Sequence, residues 1–172
     1  MSAVVLVEGA SDRVALETLA RRRGRDLAGE GVSVVAIGGA QAIGRVLDDL
    51  MGASLTVAGL CDAGEEQEFR RAFERAGLEA ALVHVCVADL EDELIRALGT
   101  DAVEAILEAN GDLGSFRTLQ KQAVWRGRPV EDQLRRFMGS GARRKIRYAA
   151  LLVEALDLHR APQPLDGILG RV

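Results

Sequence analysis

Four short apolar runs punctuate the first half of the chain, at residues 4–7, 32–37, 55–60 and 81–87. Each has the length of a strand and ends at Gly, Asp or a small residue. Between them, apolar side chains recur at helical spacing. Val14, Leu16, Leu19 and Ala20 fall roughly on one face of a helix predicted over 12–23, with Ser11 as its N-cap and Gly24 as its stop. Ile43, Val46, Leu47 and Leu50 mark a second helix over 42–51, and a third over 65–76 opens with acids and ends at Gly77. Strands alternating with helices predict βα units and a largely parallel sheet. Beyond residue 98 the strands stop, and helices are predicted over 101–109, 115–123, 130–138 and 142–156. The Ala-Pro-Gln-Pro stretch at 161–164 breaks the last of these, and the remaining residues are expected to pack as an extended arm. The expectation is an α/β body, 1–98, with a helical C-terminal cap, 99–172.

A chain of 172 residues fits one main domain and buries roughly two-thirds of its unfolded surface without staples. Its apolar content is aliphatic, with aromatics at only 3%, which suits strands buried between Ala-rich helices. Cys61 and Cys86 lie far apart in apolar runs and read as buried free thiols, neither a disulfide framework nor a zinc site. Residues 1–7 lack a basic leader region, and no apolar stretch approaches the roughly 20 residues of a membrane span. A cytoplasmic protein without a membrane partner is expected.

The net charge of −4 conceals an asymmetry. Residues 121–147 carry nine Lys or Arg against two acids, a balance of +7, while the rest of the chain stands at −11. Such a segment is either a solvated helical face or a place for phosphates beside a body that holds cations.

The acids are placed suggestively. In parallel sheets, ligand sites form at the carboxyl ends of strands. Glu8 and Asp12 follow the first strand, Asp62 the third, and Asp89 and Glu91 the fourth. Any one of them reads equally well as a helix cap, but three such junctions converge at one edge. Clustered carboxylates repel unless a cation sits among them, and hard oxygen donors without His or Cys point to Mg2+ or Mn2+. Gly9, Gly38-Gly39 and Gly64 stand where tight turns or close approach are needed. The sequence has no Walker ending after Gly9, and residues 38–44 give no dinucleotide fingerprint.

Val7-Glu8-Gly9-x-Ser-Asp12, then Asp62, then Asp89-Leu90-Glu91-Asp92-Glu93-Leu94 resemble the signature of TOPRIM domains. These are the magnesium-binding domains of topoisomerases, DnaG-type primases and several nucleases. The resemblance is closest to the nuclease domains of the OLD (overcoming lysogenization defect) family and spans about residues 4 to 98. It implies a Rossmann-like TOPRIM fold with a four-stranded parallel sheet between helices. It also implies that Glu8 and Asp12 act as metal ligands or acid/base partners, that Asp62 and Glu91 ligate metal, and that Asp89 is a further ligand. Lys145, one of two lysines in the chain, matches loosely the late basic residue that neutralises charge on the scissile phosphate, with Arg143 or Arg144 as substitutes. Arg126, Arg128, Arg135, Arg136, Arg143, Arg144, Lys145 and Arg147 would contact a nucleic-acid backbone, DNA by preference.

Two departures stand out. Gly64 replaces the second Asp of the family's D-x-D motif, which leaves a one-metal site, a degenerate site, or one in which Glu65 substitutes. OLD proteins also carry an ATP-binding domain ahead of the TOPRIM domain; here the TOPRIM strand opens the sequence, so a separately encoded ATPase is a candidate partner. Three readings follow: a Mg2+-dependent DNA endonuclease, a degenerate module that binds nucleic acid or an ATPase, and a primase-like or RNA-processing enzyme. His84 and His159 read as structural. Trp125 either stacks on a base or anchors the cap, and Gly139-Ser140-Gly141 is either a hinge or a plain interhelix turn.

Overall fold

A computed structural model describes residues 2–50 and 54–172. Its centre is a four-stranded sheet of β1 (Ser2–Val7), β2 (Val32–Ala36), β3 (Leu55–Cys61) and β4 (Val83–Val85). The order is β2-β1-β3-β4, and every neighbouring pair is parallel. The helices are α1 (Ala10–Arg22), α2 (Ile43–Leu50), α3 (Glu66–Arg75), α4 (Leu90–Leu98), α5 (Thr100–Ala109), α6 (Leu113–Lys121), α7 (Val130–Met138), α8 (Ala142–Ala155) and α9 (Gln163–Leu169). The expected α/β fold with a parallel sheet between helices is what forms. Residue 51, the expected end of the second helix, lies outside the described residues.

Strand alternation divides the interior. Val4 and Leu6 of β1, with Val57 and Cys61 of β3, face α2 and α3. Ala3, Val5 and Val7, with Ala58 and Leu60, face the other way onto α1 and helices α4 to α9. The helices after residue 99 therefore share one continuous core with the sheet. Gly59 sits on the α3 side, where a Cβ would come within 3.0 Å of Phe73 and 3.2 Å of Phe69, so its lack of a side chain lets both rings lie on the strand. Cys61 and Cys86 are buried free thiols that face opposite sides of the sheet. Among the described residues no helix is long and apolar enough to cross a membrane.

Three local expectations are corrected. α1 starts at Ala10, and its N-cap is Gly9, not Ser11. Asp12 at the third helical position reaches back to accept from the Gly9 N–H at 2.8 Å, so the carboxylate does the capping. The fourth strand is shorter than the 81–87 run, because Ala80–Leu82 turns as a 3-10 helix and only one strand neighbours this edge.

The tail, expected as an extended arm, instead forms α9. Pro164 falls in its first turn, where a missing N–H costs nothing and the fixed φ favours the helix. Leu165, Ile168 and Leu169 of α9 are buried. The basic last turn of α1 and the residues after it hold this tail. Arg22 donates to the carbonyls of Val153 at 2.8 Å and Leu156 at 2.7 Å. Arg25 donates to those of Leu169 at 2.6 Å and Val172 at 2.8 Å. Arg21 and Arg23 pair with Glu154 and Asp166. Guanidiniums thus satisfy carbonyls left open where the C-terminal helices end.

Candidate metal centre

Glu8 directly follows β1, Asp62 directly follows β3, and Asp12 lies in the first turn of α1. Parallel register places Val7 beside Leu60, so the two strands end level and their following carboxylates meet. The Asp62 N–H donates to Glu8 Oε1 at 2.9 Å across that junction. On the other side, the Gly38 and Gly39 N–H groups both donate to the Glu8 carbonyl at 3.1 Å. This bend needs φ of +78° and +110°, which glycine adopts without strain.

Glu8, Asp12 and Asp62 line one cavity of about 290 Å³, together with Gly39 and with Ala142, Lys145 and Ile146 from the first turns of α8. Glu91 joins from the start of α4: only 6% exposed, it pairs with Lys145 at 3.5 Å. Lys145 is therefore the cation of an otherwise acidic pocket. Burial lowers its pKa, but Glu91, Asp12 and Asp62 outweigh burial and raise it overall.

The carboxyls are raised as well, which for them disfavours the charged form. Burial raises Asp62 to about 7, with Glu8, Asp12 and Asp89 adding to the rise and Lys145 opposing it. Glu8 is also raised, first by burial and then by Asp12 and Glu65, against the Asp62 N–H and Lys145. Burial raises Asp12 against the Gly9 N–H, and raises Glu91 against Lys145. Glu65 is thus close enough for its charge to be felt at Glu8, beside the position where Gly64 contributes no carboxylate.

Among the described residues no three Asp, Glu, His or Cys side chains are gathered closely enough to ligate one ion as they stand. Glu8 and Asp12 each commit one oxygen to a backbone N–H, and Glu91 faces Lys145. The Asp62 carboxylate accepts no hydrogen bond from the described residues. The donor set, oxygen only, therefore fits a hard divalent ion in chemistry. Asp89 is engaged otherwise. It caps α4 by accepting from the Asp92 N–H at 2.9 Å and pairs with Arg135 at 2.5 Å. The buried Glu93 of the same motif has a structural task, accepting from the Val87 N–H at 2.7 Å and pairing with Arg96.

The basic segment separates into engaged and open side chains. Arg147 pairs with Asp112 at 3.1 Å, as Arg135 and Lys145 pair with Asp89 and Glu91. Arg144 lies 4.2 Å from the Phe137 ring centroid and donates to Ser140 Oγ at 2.6 Å. Ser140 in turn donates to the Phe137 carbonyl, so Gly139-Ser140-Gly141 is a hydrogen-bonded interhelix turn. Arg126 and Arg128 donate only to the carbonyls of Lys121 and Val124. Among the described residues, Arg126, Arg128, Arg136 and Arg143 form no ion pair. His84 lies in β4 with Nε2 buried and unpartnered among the described residues, and His159 lies in the 3-10 turn Leu158–Arg160. Ala142 and Ile146 carried no signal as site residues; packing of α8 against α1 brings them over the sheet edge.

Residues 1–63 match the sequence profile described as "Overcoming lysogenization defect protein-like, TOPRIM domain". No curated protein matches the chain in sequence. Solved structures do match in fold. The C-terminal region of the Xanthomonas campestris pv. campestris OLD protein superposes with a TM-score of 0.75 at 20% identity, covering 99% of this chain and 91% of that one. The C-terminal region of the Burkholderia pseudomallei OLD protein gives 0.69 at 16% identity, covering 98% and 95%.

Proposed function

We propose that this chain, which carries an OLD-like TOPRIM domain in residues 1–63 and the fold of OLD C-terminal regions over nearly its whole length, cleaves or nicks DNA with the help of Mg2+ or Mn2+. The observation that carries the reading is the shared cavity of Glu8, Asp12 and Asp62 beneath Lys145. TOPRIM domains generally bind divalent ions, and Glu8, Asp62 and Glu91 are the residues that would hold one here. A bound ion would acidify water and draw charge off the phosphoryl group. Within that frame the chain's own groups divide the work. Glu8 and Asp62 orient the site, Asp12 accepts or returns a proton at its carboxylate, and Lys145 Nζ meets the charge that develops on the phosphate oxygens. Arg126, Arg136 and Arg143, which form no ion pair among the described residues, hold the backbone on either side without reading sequence.

Gly64 favours a second reading. With no second carboxylate after Asp62 and Asp89 occupied by Arg135, the fold would serve as a module that binds nucleic acid or a separate ATPase. Incubating supercoiled plasmid with the protein and Mg2+ or Mn2+ separates the two. The enzyme requires metal-dependent nicking that Glu8→Gln abolishes. Binding without nicking by wild type and Glu8→Gln alike would establish the module instead.

A further inference from the structure

A second cavity lies beside the carboxylate edge, about 440 Å³ in volume, between the turn after α6, the helix α7 and the start of α4. Trp125, Arg128, Arg135 and Arg136 line it together with Asp89 and Asp132. The volume is enough for one small ligand or one nucleotide unit. Of its three guanidiniums, only that of Arg135 is bound to a carboxylate, Asp89. Arg128 lies over the Trp125 ring, 5.1 Å from its centroid, and donates from Nε to the Val124 carbonyl at 2.8 Å; among the described residues neither it nor Arg136 forms an ion pair. Both guanidiniums therefore keep N–H groups for an anion from outside.

The aromatic wall is held in place. Gln133, 4% exposed, donates from Nε2 to the Trp125 carbonyl at 2.8 Å and accepts from Gln120 at 2.7 Å. The turn that presents the indole is thus braced by a buried amide, while Trp125 itself stays partly exposed. A braced indole beside unpaired guanidiniums is the combination that stacks a base and holds its phosphate. Asp89 connects this pocket to the candidate metal centre, since its charge is felt at Asp12, Asp62 and Glu91.

We propose that this cavity receives one unpaired nucleotide of a DNA strand, its base against Trp125 and its phosphate on Arg128 and Arg136, and so positions that strand for the neighbouring carboxylates. The proposal rests on the nuclease reading and narrows its substrate to DNA with a single-stranded or frayed segment at the site. Base-paired DNA keeps its base faces stacked and cannot offer one to the indole.

Trp125 is the chain's one tryptophan, so its fluorescence reports on this pocket alone. The full-length chain is titrated in EDTA with a short oligothymidylate and, separately, with a duplex of equal length, while anisotropy of labelled DNA follows total binding. Single-stranded DNA should quench the indole and duplex should not. Trp125→Ala should weaken single-strand binding roughly tenfold, and Arg136→Ala should reduce the salt slope by about 0.7. Saturating single-strand binding without quenching, or equal quenching by duplex, would overturn the proposal. Because the titration involves no turnover, nicking without quenching defeats this inference alone, and quenching without nicking defeats the nuclease reading alone.

Discussion

Replacing Asp62 by Asn tests whether three strand ends really crowd their charges together. In the folded chain burial and the neighbouring Glu8, Asp12 and Asp89 push this carboxyl up to about 7, against 3.8 for the unperturbed group. Between those values the folded state holds a proton that the unfolded chain has released. Stability therefore falls as pH rises through this window, and the penalty is fully developed above pH 7. Three pKa units correspond to about 4 kcal/mol at the full conversion. Asp62 is partly open to water, and screening reduces the figure to about 2 kcal/mol. Asn keeps the volume and removes the charge. At pH 8 in EDTA, Asp62→Asn should melt about 4–8 °C above the wild type, a range set by the chain's size. Near pH 4 the two should coincide. Mg2+ at pH 8 should raise the wild-type Tm through selective binding to the folded form and leave the variant nearly unmoved. Circular dichroism melts at several pH values provide the readout. A wild-type minus variant difference that does not vary with pH would refute the crowding argument.

Two further outcomes follow from the same geometry. Lys145→Met leaves Glu91 buried among Asp12 and Asp62 without its cation, and should destabilise the chain by about 1–3 kcal/mol at pH 8. The loss should shrink as pH falls and the raised Glu91 carboxyl takes up a proton; urea midpoints at pH 8 and at an acidic pH measure it. Leu165→Ala opens a cavity where the fully buried side chain joins the main core, and should cost about 2–5 kcal/mol. An unchanged urea midpoint would mean that α9 does not dock as described.

The local alphabet of this chain determined the alternation of its strands and most of its helices, though not the short β4 or the helix α9. Alternation in β1 sets Val4 and Leu6 against Val5 and Val7, and the Asp89-Leu90-Glu91 stretch marks the start of α4, because periodicity and capping depend on residues a few positions apart. The placement of Glu8, Asp12, Asp62 and Glu91 at strand ends was legible for the same reason: a parallel sheet sends all its βα junctions to one edge. Tertiary structure alone decided what those acids meet. Lys145 reaches them because α8 packs on α1, more than a hundred residues away in sequence. Arg22 reaches the carbonyls at the end of α8 and Arg25 those at the end of the tail, contacts more than a hundred residues apart in sequence. Which of the basic residues stay open to an anion also depended on distant partners: Asp89 takes Arg135, Asp112 takes Arg147, and Arg128 and Arg136 are left beside Trp125. Ion pairs carry no period along the chain, so the sequence supplied the charges and the packing chose their partners.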